Sequence, residues 1–235
     1  MHPKAQEILD KIIGQITGYK NPFTVEQFMQ KYAFDVRLPV QVNDSTTGEV
    51  TWTQSANPTK FITMNNSHKD NAVTGTGGWM LAKAPLENIQ DVLTAWQKTN
   101  YTTTEKQLDS IEVYESDNVY SSENVFRSLD VSSSKNILLC DSVQNGCEYM
   151  VASQRSQMSA YCARLEDSKN CMQSFNVSWS NKVVNSAFIH DSFDLFECLF
   201  CSHVSSKKYC VANMQFEEAE YFKIKKMVME WLLTS

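Results

Sequence analysis

The sequence lacks a long apolar run, a basic stripe and a recognisable leader. No stretch of 18 apolar residues occurs, which excludes a membrane-spanning helix. No basic cluster is present and the net charge is −6, which argues against binding to nucleic acid. Glu7, Asp10 and Lys11 interrupt the N-terminal apolar pattern, so it does not read as a signal peptide. We therefore expect a cytoplasmic protein with neither nucleic acid nor a membrane as its partner.

Cysteine occurs seven times, an odd number that does not suit a framework of disulfides. Reduced thiols are the rule in the cytosol, so we expect the cysteines to be free. No cofactor-binding motif accompanies them. The Gly75–Gly78 turn resembles a phosphate-binding loop, but no Gly-Lys-Ser/Thr follows it, and we interpret it as a flexible turn.

What the sequence does contain is a six-residue repeat between residues 116 and 210. Small residues recur every six positions in two runs, and each is followed three positions later by a second residue, mostly aliphatic. The first run is Ser116, Ser122, Ser128, Ser134, Cys140 and Gly146, followed by Val119, Val125, Val131, Ile137, Val143 and Tyr149. The second is Cys162, Ser168, Ser174, Ser180, Ser186, Ser192 and Cys198, followed by Leu165, Cys171, Val177, Val183, Ile189, Leu195 and Cys201. The runs are out of phase by two residues, a shift that we place between Met150 and Tyr161.

A twelve-residue phrase, small-x-Asn-apolar-apolar, lies over the hexads, as at 122–126, 134–138 and 168–172. An additional apolar residue therefore occurs in alternate hexads only. This alternation predicts a coil of twelve residues, or half of a longer one. The additional residues are Phe126, Leu138, Met150, Met172, Val184 and Phe196.

The spacing of three predicts a bent chain. Neighbours on a straight strand point to opposite faces, so residues three apart share a face only if the chain turns between them. Small residues then fill the narrow corners, and stacked coils satisfy each other's backbone groups. The alternative is a Ser-rich disordered segment, since 21 of the 25 Ser lie between residues 110 and 206. Disordered chains lack the aliphatic and aromatic residues that keep register here, so a solenoid is favoured.

Outside the repeat the patterns are those of a small α+β region. An apolar stripe predicts a helix over residues 3–17 that ends at Gly18. Thr24 and Gln27 predict a capping box for a second helix. Residues 34–42 and 49–54 predict a hairpin, residues 84–98 a helix, and residues after 209 a helix that covers the end of the last coil.

We therefore predict a mainly β protein with three parts. An α+β N-terminal domain spans residues 1–108, a narrow parallel β-solenoid spans 109–215, and a C-terminal capping helix spans 216–235. The six additional apolar residues, from Phe126 to Phe196, are predicted to form an outward interaction stripe or to pack beneath the N-terminal domain.

A metal site is the first alternative use of the chain. Cys198, Cys201, His203 and Cys210 have spacings found in zinc sites. The repeat explains these cysteines more simply as core residues, because free cysteine behaves as a small hydrophobe. We assign no metal and keep these four residues as weak candidates.

An enzyme is the second alternative. His190 and Asp191 suggest acid–base chemistry, but as sequence neighbours on a strand they should face opposite ways, so we predict no dyad. No nucleophile–base pair is evident, and no catalytic residue is assigned. A pocket between the N-terminal domain and the solenoid could use His68, Asp70 or the Gly75–Gly78 turn.

The C-terminal segment 205–221 carries a resemblance. It has Lys-Lys-Tyr-Cys, then an Asn, an aromatic residue and a helix with Glu-Tyr. In these features residues 116–234 resemble uncharacterised Asn/Cys-rich β-solenoid repeat proteins of candidate-phyla bacteria. This chain has more Ser, less Cys, and Glu217 where those proteins have a Ser or Thr cap. The resemblance implies a fold and no activity.

Together these observations predict a non-enzymatic structural or binding protein. Its solenoid would act as a scaffold that self-associates into a homo-oligomer or presents a flat face to a protein partner.

Overall fold

A computed structural model describes residues 2–55, 60–67 and 79–234. Its main helices are α1 (Pro3–Thr17), α2 (Val25–Tyr32), α3 (Ile89–Gln97) and α4 (Glu218–Thr234). The strands before the solenoid are β1 (Val40–Asn43), β2 (Val50–Thr53), β3 (Lys60–Thr63) and β4 (Tyr101–Thr104). The solenoid strands are β5 (Gln107–Leu108), β6 (Ile111–Tyr114), β7 (Asp117–Tyr120), β8 (Glu123–Phe126), β9 (Leu129–Ser132), β10 (Lys135–Leu138), β11 (Asp141–Gln144), β12 (Glu148–Val151), β13 (Gln154–Gln157), β14 (Ala160–Glu166), β15 (Phe175–Ser178), β16 (Asn181–Val184), β17 (Ala187–His190), β18 (Phe193–Ser202), β19 (Ser205–Val211) and β20 (Met214–Gln215).

The N-terminal helices form as their sequences predict. α1 buries its isoleucine stripe, and Gly18 ends it with a φ of 77° that glycine adopts without strain. α2 begins with the predicted capping box, in which Thr24 accepts from the backbone of Gln27 and the Gln27 side chain accepts in return.

The remaining elements begin later than their patterns indicate. β1 pairs antiparallel with β2, which confirms the hairpin, but it begins only after Pro39, which has no N–H to donate. α3 begins at Ile89 because Asn88 caps it, its side chain accepting from the backbone of Asp91.

The strands between β5 and β19 stack in parallel with a step of twelve residues, which confirms the predicted solenoid. Val119 pairs with Val131, and Val125 with Ile137. One coil is therefore twelve residues long rather than half of a longer unit.

The chain bends at every third residue. From Glu112 to Asn145, and again from Tyr149 to Ala212, every third residue has a φ between 44° and 66°. This left-handed region is unfavourable for most residues with a Cβ atom and is tolerated best by Asn and Asp, which occupy many of these positions. Each coil therefore has four sides, and each side has one inward and two outward residues.

The inward residues stack into four interior columns. In chain order the first column is Ser116, Ser128, Cys140, Ser153, Leu165, Val177, Ile189 and Cys201. The second is Val119, Val131, Val143, Ser156, Ser168, Ser180, Ser192 and Val204. The third is Ser122, Ser134, Cys147, Ser159, Cys171, Val183 and Leu195. The fourth is Val125, Ile137, Met150, Cys162, Ser174, Ser186, Cys198 and Cys210.

Small and large residues exchange columns halfway along the solenoid. The first and third columns are small in the early coils and mostly aliphatic in the late ones, while the second and fourth change the opposite way. The exchange passes through one coil whose inward residues are all small: Ser153, Ser156, Ser159 and Cys162. In most other coils the small residues occupy diagonally opposite positions, so that large side chains fill the narrow interior between them.

The predicted position of the phase shift is right for the exchange of columns and wrong for the inserted residue. The chain has one additional residue at Asn145–Gly146, where the pairing step becomes thirteen and Val143 pairs with Ser156. The inserted residue displaces the later coils by one position, and the exchange of columns displaces the small residues by three more. In a six-residue repeat this total of four is equivalent to the two-residue shift seen in the sequence. Cys147 and Met150 consequently face inward, in place of the predicted Gly146 and Tyr149.

The inward serines hold successive coils together. The Ser180 hydroxyl donates to the carbonyl of Ser178 at 2.7 Å and accepts the backbone N–H of Ser192, one coil later, at 3.1 Å. Ser128 does the same with Phe126 and Cys140. The sequence predicts small residues here for reasons of space, but not this hydrogen bond.

α1 and α4 pack along one flank of the solenoid. Their buried side chains share a core with outward residues of the fourth side: Phe126, Leu138, Val151, Ala163, Phe175, Ala187 and Leu199. Lys225 of α4 contacts the Glu197 carboxylate at 2.5 Å and the Asn185 carbonyl at 3.3 Å, which lie in successive coils. The predicted C-terminal helix is present and contacts the last coil, where Tyr221 packs on Tyr209 with ring centres 5.4 Å apart. It also continues along the flank over earlier coils, which the sequence did not predict. The boundary at residue 108 stays a prediction, although it divides α1 from the coils on which α1 packs.

Removal of one interior hydroxyl tests the role of the serines. In Ser180→Ala the buried N–H of Ser192 loses its acceptor, so we expect the free energy of unfolding to fall by about 1–3 kcal/mol. Ser206→Ala, which removes an exposed hydroxyl bonded to Asp194, should change it by less than about 0.5 kcal/mol. Urea denaturation followed by circular dichroism measures both. Equal losses would contradict the proposed role.

Candidate functional site

The six residues of the predicted stripe do not form one surface. Phe126 and Leu138 lie beneath α1, and Met150 lies inside the fourth column. Met172, Val184 and Phe196 remain on the outside of the third side, where Met172 is 49% and Phe196 41% exposed. The inserted residue at Asn145–Gly146 and the exchange of columns explain the division. Whether the three outward residues bind a partner stays a prediction.

These three residues belong to a longer row on the third side, here called the apolar row. Direct pairing between successive coils aligns its members. They are Glu148, Ala160, Met172, Val184, Phe196 and Lys208. A shallow groove beside the row is lined by Met158, Ala160, Met172 and Val184.

The apolar row ends in opposite charges. Earlier in the same line of residues, Lys135 and Glu123 already pair with each other at 3.4 Å. Glu148 and Lys208 have no ion-pair partner among the described residues. The Lys208 ammonium lies 5.3 Å from the centre of the Phe196 ring, at the basic end of the row.

The four candidate metal ligands do not come together as one set, because His203 lies apart from the three cysteines. Cys198, Cys201 and Cys210 lie inside the columns, whereas His203 points outward and is 73% exposed. Within the described residues no group of three or more His, Cys, Asp or Glu side chains could hold a metal ion. The interpretation of these cysteines as core residues agrees with their positions.

All seven cysteines are free and buried. Burial raises the pKa of the Cys140 thiol to about 12 and that of Cys171 to about 11, because the interior disfavours a thiolate. A hydrogen bond with Cys201, together with burial, raises the pKa of Cys198 well above its usual value.

His190 and Asp191 do form a pair, contrary to the prediction. The His190 Nε2 atom lies 3.2 Å from the Asp191 carboxylate, and Nδ1 lies 2.8 Å from the Ser178 hydroxyl one coil earlier. Asp191 has a φ of 44°, and this bend turns both neighbours to the outside. The prediction for His190 and Asp191 assumed a straight strand. It did not take into account that the chain bends at every third residue.

This Ser–His–Asp chain lies at the surface, with the His190 side chain 45% and the Asp191 side chain 39% exposed. Ser178 lines a cavity of only about 50 Å³, far below the volume of ordinary ligand pockets. Ser178, His190 and Asp191 therefore form a hydrogen-bond network on the surface that links adjacent coils.

A larger cavity lies between the N-terminal region and the first coils. Its volume is about 400 Å³, and its walls include Trp52, Glu105, Tyr114, Glu115 and Arg127. The predicted enzyme alternative placed a pocket in this region, but its residues His68, Asp70 and Gly75–Gly78 lie outside the described residues.

Two ionisable groups in the cavity have unusual surroundings. The Arg127 guanidinium lies over the Trp52 ring at 5.3 Å, and its Nε atom is buried with no hydrogen-bond partner. Burial raises the pKa of Glu105, although Thr51 and the backbone of Trp52 donate hydrogen bonds that oppose this effect.

The described residues that line the cavity include no nucleophile–base pair. The Ser116 hydroxyl donates to the Tyr114 carbonyl, and His2 Nδ1 accepts the backbone N–H of Lys4. Its groups can therefore bind a ligand, but they are not arranged for nucleophilic catalysis.

No helix among the described residues is long and apolar enough to cross a bilayer. No family model, no curated protein and no solved structure matches this chain. The resemblance to Asn/Cys-rich repeat proteins therefore stays a prediction.

Thiol reactivity tests the inward position of the cysteines. We expect the native protein to react negligibly with a disulfide reagent at pH 8, because all seven thiols are buried and six of them have a raised pKa. Cys201 is the most demanding case, because its hydrogen bond with Cys198 lowers its pKa to about 6 and only its inward position, with 1% exposure, protects it. In urea all seven should react. Release of the coloured thiolate, followed over minutes, measures this. Rapid reaction of Cys198 or Cys210 in the native state would show that the late columns are open.

Proposed function

We propose that this chain is a non-enzymatic scaffold that self-associates through the apolar row into an antiparallel dimer. The observation that carries the proposal is the order of residues in the row. It begins with an acid, continues through four apolar residues and ends with a base, and neither charged residue forms an ion pair among the described residues. The Lys208 ammonium closely contacts the neighbouring Tyr209 and Phe196 rings. Such a row is complementary to a copy of itself turned end for end.

The register of the dimer follows from the coil spacing. A two-fold axis between Met172 and Val184 places Glu148 of each copy opposite Lys208 of the other. The same axis places Phe196 opposite Ala160, so a large side chain faces a small one. A closed two-fold interface uses one patch twice, which is the commonest symmetry of soluble oligomers.

The energetics favour burial of this row. Met172 and Phe196 expose much of their apolar surface, and Val184 lies between them in the row. Contiguous apolar surface on a folded protein commonly marks an interface. Burial of each large side chain would contribute about 1–2 kcal/mol, while the terminal charges fix direction and disfavour a parallel arrangement.

The free thiols suggest the compartment. All seven are unpaired, which is typical of a reducing environment such as the cytoplasm. A cytoplasmic location is part of this proposal.

A charge exchange tests the register. Glu148→Lys and Lys208→Glu should each raise the dimer dissociation constant about tenfold, because each places like charges together at both ends of the interface. The double variant should restore dimerisation. Sedimentation equilibrium and light scattering measure the mass in each case.

A charge at the centre of the apolar row is a second test, and a charge on α4 is its control. Met172→Glu should give a monomer, since it buries two carboxylates near the two-fold axis. Met227→Glu, on exposed α4 surface away from the row, should leave the dimer intact. A native protein that stays monomeric at high concentration would refute the proposal, as would a double charge variant that fails to recover.

A further inference from the structure

The cavity beside Trp52 contains a cation and an anion that do not satisfy each other. Glu115 and Arg127 occupy equivalent positions in adjacent coils, both at bends on the fourth side. Elsewhere an arginine pairs with the acid one coil away, as Arg155 does with Asp167 at 2.8 Å. Arg127 instead turns over the Trp52 ring, and no ion pair joins it to Glu115.

The Arg127 guanidinium forms no ion pair with the described residues, and its buried Nε atom has no hydrogen-bond partner among them. A buried N–H without a partner costs about 1–3 kcal/mol, more where the group is charged. The guanidinium is a planar fork that matches a carboxylate in two parallel hydrogen bonds. The Arg127 Nε atom is enclosed by protein atoms, so an anionic oxygen inside the cavity would meet the terminal guanidinium nitrogens, which have no ion-pair partner among the described residues.

The acids of the cavity limit which anion fits. Glu105 and Glu115 line the same walls, so a phosphate or another dianion would meet like charge. A simple cation would meet Arg127. A molecule with one carboxylate and one ammonium group matches both signs at once.

The remaining walls are aromatic and apolar. Tyr114 stacks on His2 with ring centres 4.5 Å apart, and Phe126 lies parallel to Tyr114 at 5.5 Å. Together with Trp52 they surround a space of about 400 Å³, which is at the small end of ligand pockets. Such walls favour an apolar or aromatic body.

We propose that this cavity binds a small zwitterion with an apolar body, of the class of the apolar α-amino acids. Its carboxylate bonds to Arg127, its ammonium group faces Glu115, and its side chain packs on Trp52 and Tyr114. This site is independent of the apolar row, which lies on the third side of later coils.

Three matched probes test the assignment in the full chain. Calorimetric titration compares phenylalanine with 3-phenylpropionate, which lacks the ammonium group, and with phenethylamine, which lacks the carboxylate. We expect phenylalanine to bind roughly tenfold or more tightly than either, because each probe leaves one charged group of the cavity unpaired. Equal affinity for phenylalanine and 3-phenylpropionate would overturn the proposal, and so would no detectable binding of phenylalanine.

Two variants separate the charged contacts. Arg127→Met keeps an apolar stem over Trp52 and should weaken phenylalanine and 3-phenylpropionate alike by roughly tenfold or more. Glu115→Gln should weaken phenylalanine and leave 3-phenylpropionate unchanged. Arg155→Met, on another side, is the control and should change neither affinity. Circular dichroism of each variant verifies the fold, and an Arg127→Met protein that is folded and binds normally would overturn the assignment.

Discussion

The hydrogen bond from a backbone N–H to the serine hydroxyl one coil earlier holds this architecture together. An interior only four residues wide cannot supply water to backbone groups at its corners, so each corner N–H needs an acceptor from the protein. Serine supplies one within the volume of a small residue. Ser153 illustrates the point, since its hydroxyl accepts from the backbone of Leu165 even where the columns exchange. The repeat is thus rich in serine for reasons of hydrogen bonding as well as space.

Twelve-residue stacking makes residues that are distant in sequence into direct neighbours in space. The outside of the solenoid is therefore organised in rows, and chemistry is read along a row rather than along the chain. Glu148 and Lys208 stand at the two ends of one row although 60 residues separate them. Glu115 and Arg127 are neighbours in another. The proposed dimer and the proposed ligand site both follow from this arrangement in rows. The dimer uses a row on the open third side, and the ligand site uses residues on the fourth side, beside the N-terminal region.

Much of the fold could be predicted from the period of three alone. That period identified the inward positions of the second run, the parallel stacking and the burial of Cys198 and Cys201. It could not locate the inserted residue, because Gly146 is small and lies six residues after Cys140, so the pattern continues across the insertion. It could not place α4 either, because an amphipathic stripe shows that a face is buried but not which surface buries it. The Trp52 cavity depends on tertiary packing of the N-terminal region, for which the sequence offers no periodic signal.

The bends explain why the prediction that His190 and Asp191 face apart is wrong. On a straight strand His190 and Asp191 would face apart, but here each side consists of one inward residue and two consecutive outward ones. Adjacent side chains on the surface can therefore interact with each other, as these two do, and with residues one coil away. Each outer side consequently presents a dense two-residue-wide lattice at a fixed spacing. A surface of this kind can change its ligand or partner by substitution of outward residues, while the serine bonds inside stay the same.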